Sequence, residues 1–123
     1  MKFIIDTHIF LWALSEPDKL SPSQTQALKG LYNQVYVSAI SIAELAIKAS
    51  IGKLDLSFDP VEMVNAMGFE ALPYAAKDAL MLKALPFHHK DPFDRMLIGQ
   101  SLASDIPIMT NDAKFQLYGC KLI

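Results

Sequence analysis

Asp6, Glu44, Asp94 and Asp112 are four carboxylates of a 123-residue chain that fall beside the ends of predicted strands or in the first turns of predicted helices. Brought within several ångströms of one another they would repel, and each would hold its proton to higher pH. A divalent cation cancels that cost. An all-oxygen cluster open to water suits Mg²⁺ or Mn²⁺ rather than zinc. Such ions activate water and stabilise charge on a phosphodiester during in-line displacement. Taken singly, each acid has an ordinary explanation. Asp6 is placed to cap a helix, Glu44 to complete a capping box with Ser41, and Asp112 to cap the last helix. Asp91 and Asp94 flank Pro92 at another helix start, where Asp91 is read as the cap and Asp94 as free to face a crevice. The convergence of four acids on one edge is what points to a site.

That edge exists only if the elements come in the right order. Lys2-Phe3-Ile4-Ile5 is a short apolar run suited to a strand buried on both faces. A short helix follows over His8–Leu14. Ser21, Pro22 and Gln24 form a helix start with a capping box, predicting a helix to about Tyr32. Val35–Ile40 is β-rich, and Ser41 is expected to cap a helix with Glu44 as its third residue, stopped by Gly52. Asp59-Pro60-Val61-Glu62 opens a further helix that ends near Gly68. Phe69–Leu72 reads as strand and Ala75–Leu85 as helix. A helix follows Asp91, then a strand over Pro107–Thr110, a helix over Asp112–Leu117 and a last strand over Cys120–Ile123. This alternation predicts the α/β class, with a mostly parallel sheet covered by helices on both faces. In such sheets ligands bind at the carboxyl ends of the strands, near the switch point.

Composition narrows the function classes. The chain is 52% hydrophobic and 20% charged, which excludes a disordered polymer, and it reads as one continuous domain over residues 1–123. No apolar run reaches the about 18 residues of a membrane span, and Asp6 and His8 interrupt the N-terminal stretch, so no signal peptide or membrane partner is expected. A cytoplasmic protein is expected. Eleven basic residues against thirteen acidic ones advertise no basic face, and Arg95 is the only arginine. The one cysteine, Cys120, reads as core, as do Met63, Met67, Met81, Met96 and Met109. Trp12 suits either the core or a partner surface. His88-His89 reads as solvated loop. No G-x-S-x-G elbow, P-loop or G-x-G-x-x-G is present.

The segments Phe3-Ile4-Ile5-Asp6-Thr7-His8, Ser41-Ile42-Ala43-Glu44-Leu45, Asp91-Pro92-Phe93-Asp94-Arg95 and Thr110-Asn111-Asp112, in this order, resemble the PIN-domain ribonucleases, in particular the VapC-type toxins of toxin–antitoxin pairs. The resemblance spans the chain. It implies a three-layer α/β/α domain and metal-dependent cleavage of single-stranded regions of RNA. Asp6, Glu44, Asp94 and Asp112 match the four acidic positions around Mg²⁺ or Mn²⁺, and Asp91 fits an accompanying acid of less defined role. Thr7, Thr110 and Asn111 match small polar residues that bond the acids or a bound water. Arg95 would orient a carboxylate or phosphate, or form a structural salt bridge. The resemblance further implies a small VapB-like or other antitoxin as partner, an RNA substrate, and a homodimer. Lys48, Lys53 and Lys90 are candidates to follow an RNA backbone.

Two other classes are weighed. A phosphoacceptor receiver domain would need paired acids after the first strand, and Asp6 is followed by Thr7. A PIN-like module that binds RNA or a partner without cutting would be marked by a lost acid, and none is lost. Cleavage of DNA stays open, because a metal site does not itself distinguish the sugar.

Overall fold

The computed structural model describes residues 1–123. Strand β1 (Lys2–Ile5) lies between β2 (Gln34–Ser38) and β4 (Ile108–Met109), and β3 (Glu70–Leu72) pairs with the outer side of β2. All pairings are parallel, with Ile4 opposite both Tyr36 and Ile108. The chain therefore steps outward from β1 to β2 and β3, then crosses back to β4 on the other side. That reversal puts a switch point at the carboxyl ends of β1 and β4.

Alternation along the strands divides the core between the two faces. Phe3, Ile5, Val35, Val37 and Met109 join Ile9, Phe10, Leu45 and Val64 on one side. Ile4 and Ile108 join Leu85, Leu97, Ile98, Phe115 and Cys120 on the other. Phe3, Ile4 and Ile5 are fully buried, each contributing about 1.5–3 kcal/mol. The three-layer α/β/α arrangement expected from the sequence is present, with helices on both faces of a parallel sheet.

Helices α1 (Thr7–Ser15), α2 (Pro22–Lys29), α3 (Ala39–Ser50), α4 (Pro60–Ala66), α5 (Ala76–Leu80) and α6 (Pro92–Ser104) follow the expected order. Their ends differ in instructive ways. Helix α2 stops at Lys29, short of Tyr32, because the Asn33 side-chain amide donates to the Ala27 carbonyl at 2.9 Å. A Cβ at Gly30 would sit 2.7 Å from that amide nitrogen, so a larger residue there would displace the Asn33 side chain. Strand β2 ends at Ser38, and Ser38 rather than Ser41 caps α3, accepting from the Ile40 amide at 3.1 Å. Glu44 therefore stands in the second turn and takes no part in a capping box. The Ala75–Leu85 stretch breaks into α5 and a 3₁₀ turn over Met81–Lys83, and the last helix is a 3₁₀ segment over Ala113–Tyr118. The final strand reduces to one bridge between Ile108 and Leu122. Met67 is partly exposed rather than core, and Trp12 packs against the first cluster from its edge.

Helix α6 ends at Asp105, whose φ of 52° is left-handed, and the Ser101 hydroxyl donates to the Ile106 carbonyl at 2.6 Å. The turn feeds directly into β4. No helix is long and apolar enough to cross a membrane.

The cap assignment is testable. Ser38→Ala should cost about 1 kcal/mol in denaturant unfolding and should speed hydrogen exchange at the Ile40 amide. Ser41→Ala should leave that amide protected, and equal loss of protection in the two variants would contradict the assignment.

Candidate metal centre

The carboxyl ends of β1 and β4 deliver Asp6 and Asp112, the second turn of α3 delivers Glu44, and the first turn of α6 delivers Asp94. Asp6 does two jobs at once. Its Oδ1 accepts from the Ile9 amide at 2.9 Å and caps α1, while its Oδ2 accepts from the Thr110 hydroxyl at 2.5 Å. Thr110 Oγ1 in turn accepts from the Asp112 amide at 3.0 Å, which ties the loop after β4 to the end of β1. Asp112 Oδ1 caps the 3₁₀ segment through the Lys114 amide, leaving Oδ2 toward the site.

Glu44 is buried and reaches the same edge from α3. Thr7 Oγ1 donates to Glu44 Oε1 at 2.8 Å and lies 2.9 Å from Ser41 Oγ. Ser41 thus belongs to the support of Glu44 rather than to the helix cap. Lys48, one turn further on, places its ammonium 2.6 Å from Glu44 Oε2. That bond, set against partial burial and helped by the charges of Glu44, Asp91 and Asp94, raises the Lys48 pKa. Lys48 therefore stands at the acidic edge; Lys53 and Lys90 are exposed.

Asp91 caps α6 as expected, its Oδ1 accepting from the Phe93 and Asp94 amides at 2.8 and 3.1 Å. Asp94 projects from the first turn. Burial, and then repulsion from Asp91, Asp6 and Glu44, push its carboxyl up to about 7, against the pull of His89. Burial also raises Asp6, with Asp112 adding to the rise and Thr110, Ile9 and His8 opposing it. At the more exposed Asp112 burial acts upward as well, but the Lys114 amide and His89 outweigh it and hold the group below its ordinary value. Burial is the largest upward push on Asp94 and Asp6, and neighbouring acids add to it.

Three placements depart from the sequence reading. His89 is not a solvated loop residue: it is 7% exposed, with Nε2 3.0 Å from Asp94 Oδ2 and 2.8 Å from Asp112 Oδ2. Its partners lie 5 and 23 positions away, so no local pattern marks it; only the neighbouring Asp91 and Asp94 hint at it. Arg95 forms no ion pair with the acids. Its guanidinium donates to the carbonyls of Pro86 at 2.7 Å and Leu85 at 3.4 Å and to Tyr118 Oη at 3.3 Å, with Phe87 over its plane. Asn111 bonds none of the acids, and its Oδ1 accepts from Gln24 Nε2 at 2.8 Å. A cavity of about 980 Å³ lies elsewhere: it is lined by Ala13, Leu20, Leu28, Val35 and Phe69 near the amino ends of the strands, and none of the four acids borders it.

The donor set fits a hard divalent cation. Oxygen donors of one charge sign come from four elements, and Asp94, raised first by burial and then by Asp91, Asp6 and Glu44, stands among them.

Comparison with known proteins follows the same lines. A family model described as the PIN domain matches residues 3–119. No curated protein matches the sequence. Among solved structures, the chain is similar to VapBC2 from Rickettsia felis bound to a promoter DNA fragment, at 19% identity and TM-score 0.73, covering 100% of this chain and 98% of that one. It is similar to DNA-bound VapBC from Salmonella typhimurium at 19% identity and TM-score 0.66, covering 100% and 97%. A toxin–antitoxin complex from Klebsiella pneumoniae gives 16% identity and TM-score 0.65, covering 98% and 95%.

A pH dependence follows from Asp94. In the metal-free protein its pKa lies near 7, against 3.8 ordinarily, so the folded state binds the extra proton. Stability from this group is present below the lower value and lost as pH rises through the upper one. Asp6 acts in the same direction and Asp112 in the opposite one. In EDTA, Asp94→Asn should therefore stabilise the protein at neutral pH by about 1–2 kcal/mol, reduced from the full linkage value by solvent access. It should give no such gain at about pH 4. A gain that does not change between the two pH values would contradict the assignment.

Proposed function

The chain belongs to the PIN domain family, and on that premise we propose that it is a Mg²⁺- or Mn²⁺-dependent endoribonuclease, the VapC-type toxin of a toxin–antitoxin pair. The reading is supported by Asp6, Glu44, Asp94 and Asp112 coming from four elements at the switch-point edge, where burial first and then Asp91, Asp6 and Glu44 raise the Asp94 carboxyl. Those four residues would hold the ion, with Asp91 beside them. When bound, such an ion supplies an activated water and stabilises charge on a phosphodiester.

The chain's own residues prepare the edge. Thr7 fixes Glu44, and Thr110 fixes Asp6 while holding the Asp112 loop. Lys48, partly exposed beside Glu44, offers a cation to the backbone of an RNA strand entering the edge. Arg95 contributes by shaping the loop before α6 rather than by touching substrate.

The partners proposed are an RNA substrate, a small antitoxin, and a second copy of the chain in a homodimer. The antitoxin is supported by neighbours solved as VapBC and other toxin–antitoxin complexes. The protein would act in the cytoplasm, where its RNA lies.

Incubation of the purified chain with total and transfer RNA in Mn²⁺ tests the reading. Discrete cleavage is expected, lost in EDTA and lost in Asp6→Asn and Asp94→Asn variants whose circular dichroism is unchanged. RNA retention without metal-dependent cleavage of any substrate would favour a binding module instead. Full activity in either Asn variant would overturn the residue assignment.

A further inference from the structure

His89, Asp94 and Asp112 bring one nitrogen and two carboxylate oxygens within 4.8 Å of one another, the donor set of a mixed nitrogen–oxygen transition-metal site. The far side of the imidazole decides against that use. The Asp91 backbone amide donates to His89 Nδ1 at 3.1 Å. A neutral imidazole carries one ring proton, and a nitrogen that accepts from an amide cannot carry it. The proton is therefore on Nε2, the nitrogen that faces the two carboxylates. A protonated nitrogen has no lone pair for a metal. Ligation through Nε2 would send the proton to Nδ1, directly against the Asp91 N–H.

We propose that His89 is a positioning residue of the carboxylate site: its Nε2–H is a shared donor that holds Asp94 and Asp112 together, and the ring does not ligate the cation. The inference rests on the reading of this edge as a cation site. Asp94 comes from the first turn of α6 and Asp112 from the loop after β4, and Asp112 is the more exposed of the two. One donor, 3.0 Å from the first and 2.8 Å from the second, fixes their separation before any ion arrives.

The fold holds the ring firmly enough for that role. Tyr118 Oη accepts from the His89 amide at 2.7 Å, and Arg95 reaches the His89 carbonyl at 3.5 Å while donating to the Pro86 carbonyl. Phe115 meets the imidazole edge to face, with centroids 6.0 Å apart. The unusual use of Arg95, buried and bonded to carbonyls rather than to an acid, is explained by this: it staples the loop that carries His89.

Three measurements test the proposal. In the metal-free protein, long-range ¹H–¹⁵N correlation spectra should give His89 as the Nε2–H tautomer; the Nδ1–H tautomer would overturn it. Calorimetric titration with Mn²⁺ should give affinity weakened by about 10- to 100-fold in His89→Leu, the usual effect of removing a partner of a ligand. His89→Gln, which keeps an N–H donor, should lose less and serves if the leucine variant fails to fold. Equal Mn²⁺ affinity in wild type and both variants would overturn the clamp. Pulsed electron paramagnetic resonance of bound Mn²⁺ should detect no directly coordinated ¹⁴N, and a strong coupling lost in His89→Gln would make the ring a ligand instead. If the wild type takes up no Mn²⁺, the nuclease reading fails by itself. The tautomer, and a shift of the Asp112 carboxyl resonance in His89→Leu, then still decide the clamp.

Discussion

Negative charge gathered at one edge of a parallel sheet has to be held against its own repulsion, and much of the polar architecture of this chain serves that end. Each acid is tied by a side-chain donor from another element or loop. Thr110 reaches Asp6 across 104 positions, Thr7 reaches Glu44 across 37, and His89 spans Asp94 and Asp112. Capping does a second share of the work, because Asp6, Asp91 and Asp112 each take backbone amides at a helix start. Positive helix ends favour negative charge, so the same geometry that begins a helix lowers the cost of placing a carboxylate there. Asp94 has no backbone donor of its own, and burial first, then its acidic neighbours, push its carboxyl up to about 7.

The sheet order makes this gathering possible. With β1 in the middle, the loops after β1 and β4 emerge side by side, and α3 and α6 begin close to them. An all-parallel sheet buried on both faces leaves only its ends free for polar chemistry. The apolar alternation of Phe3-Ile4-Ile5 and Val35-Tyr36-Val37 therefore fixes where Asp6 and Glu44 can go, as directly as any contact in the site itself.

What could be read from the sequence was local. The Ser21, Asp59 and Asp91 caps, the glycine stop at Gly52 and the buried character of β1 all follow from residues within four positions of one another, and the structure agrees. Ser41 misled because Ser-x-x-Glu satisfies a capping box as well as a site. The choice between them lay in Thr7, which no local pattern connects to α3. His89 escaped for the same reason: two adjacent histidines beside a proline-led helix read as loop, and only the return of the chain after β4 brings Asp112 to the ring. Arg95 lies in the expected neighbourhood with other partners, since a guanidinium bonded to backbone carbonyls and a tyrosine hydroxyl leaves no trace in residue order. The four acids stand out as candidates in the sequence because they recur near the ends of alternating elements.

The account stands on one physical claim, that Asp6, Glu44, Asp94 and Asp112 form a single cation site whose neighbour His89 remains a donor. Anomalous diffraction at the manganese edge, from crystals of the free chain grown in Mn²⁺, tests it most directly. The account predicts an anomalous peak at coordination distance from carboxylate oxygens of Asp6 and Asp94, with His89 Nε2 outside that distance and still facing Asp112. A peak on His89 Nε2, or Mn²⁺ bound elsewhere with the four acids left bare, would contradict it.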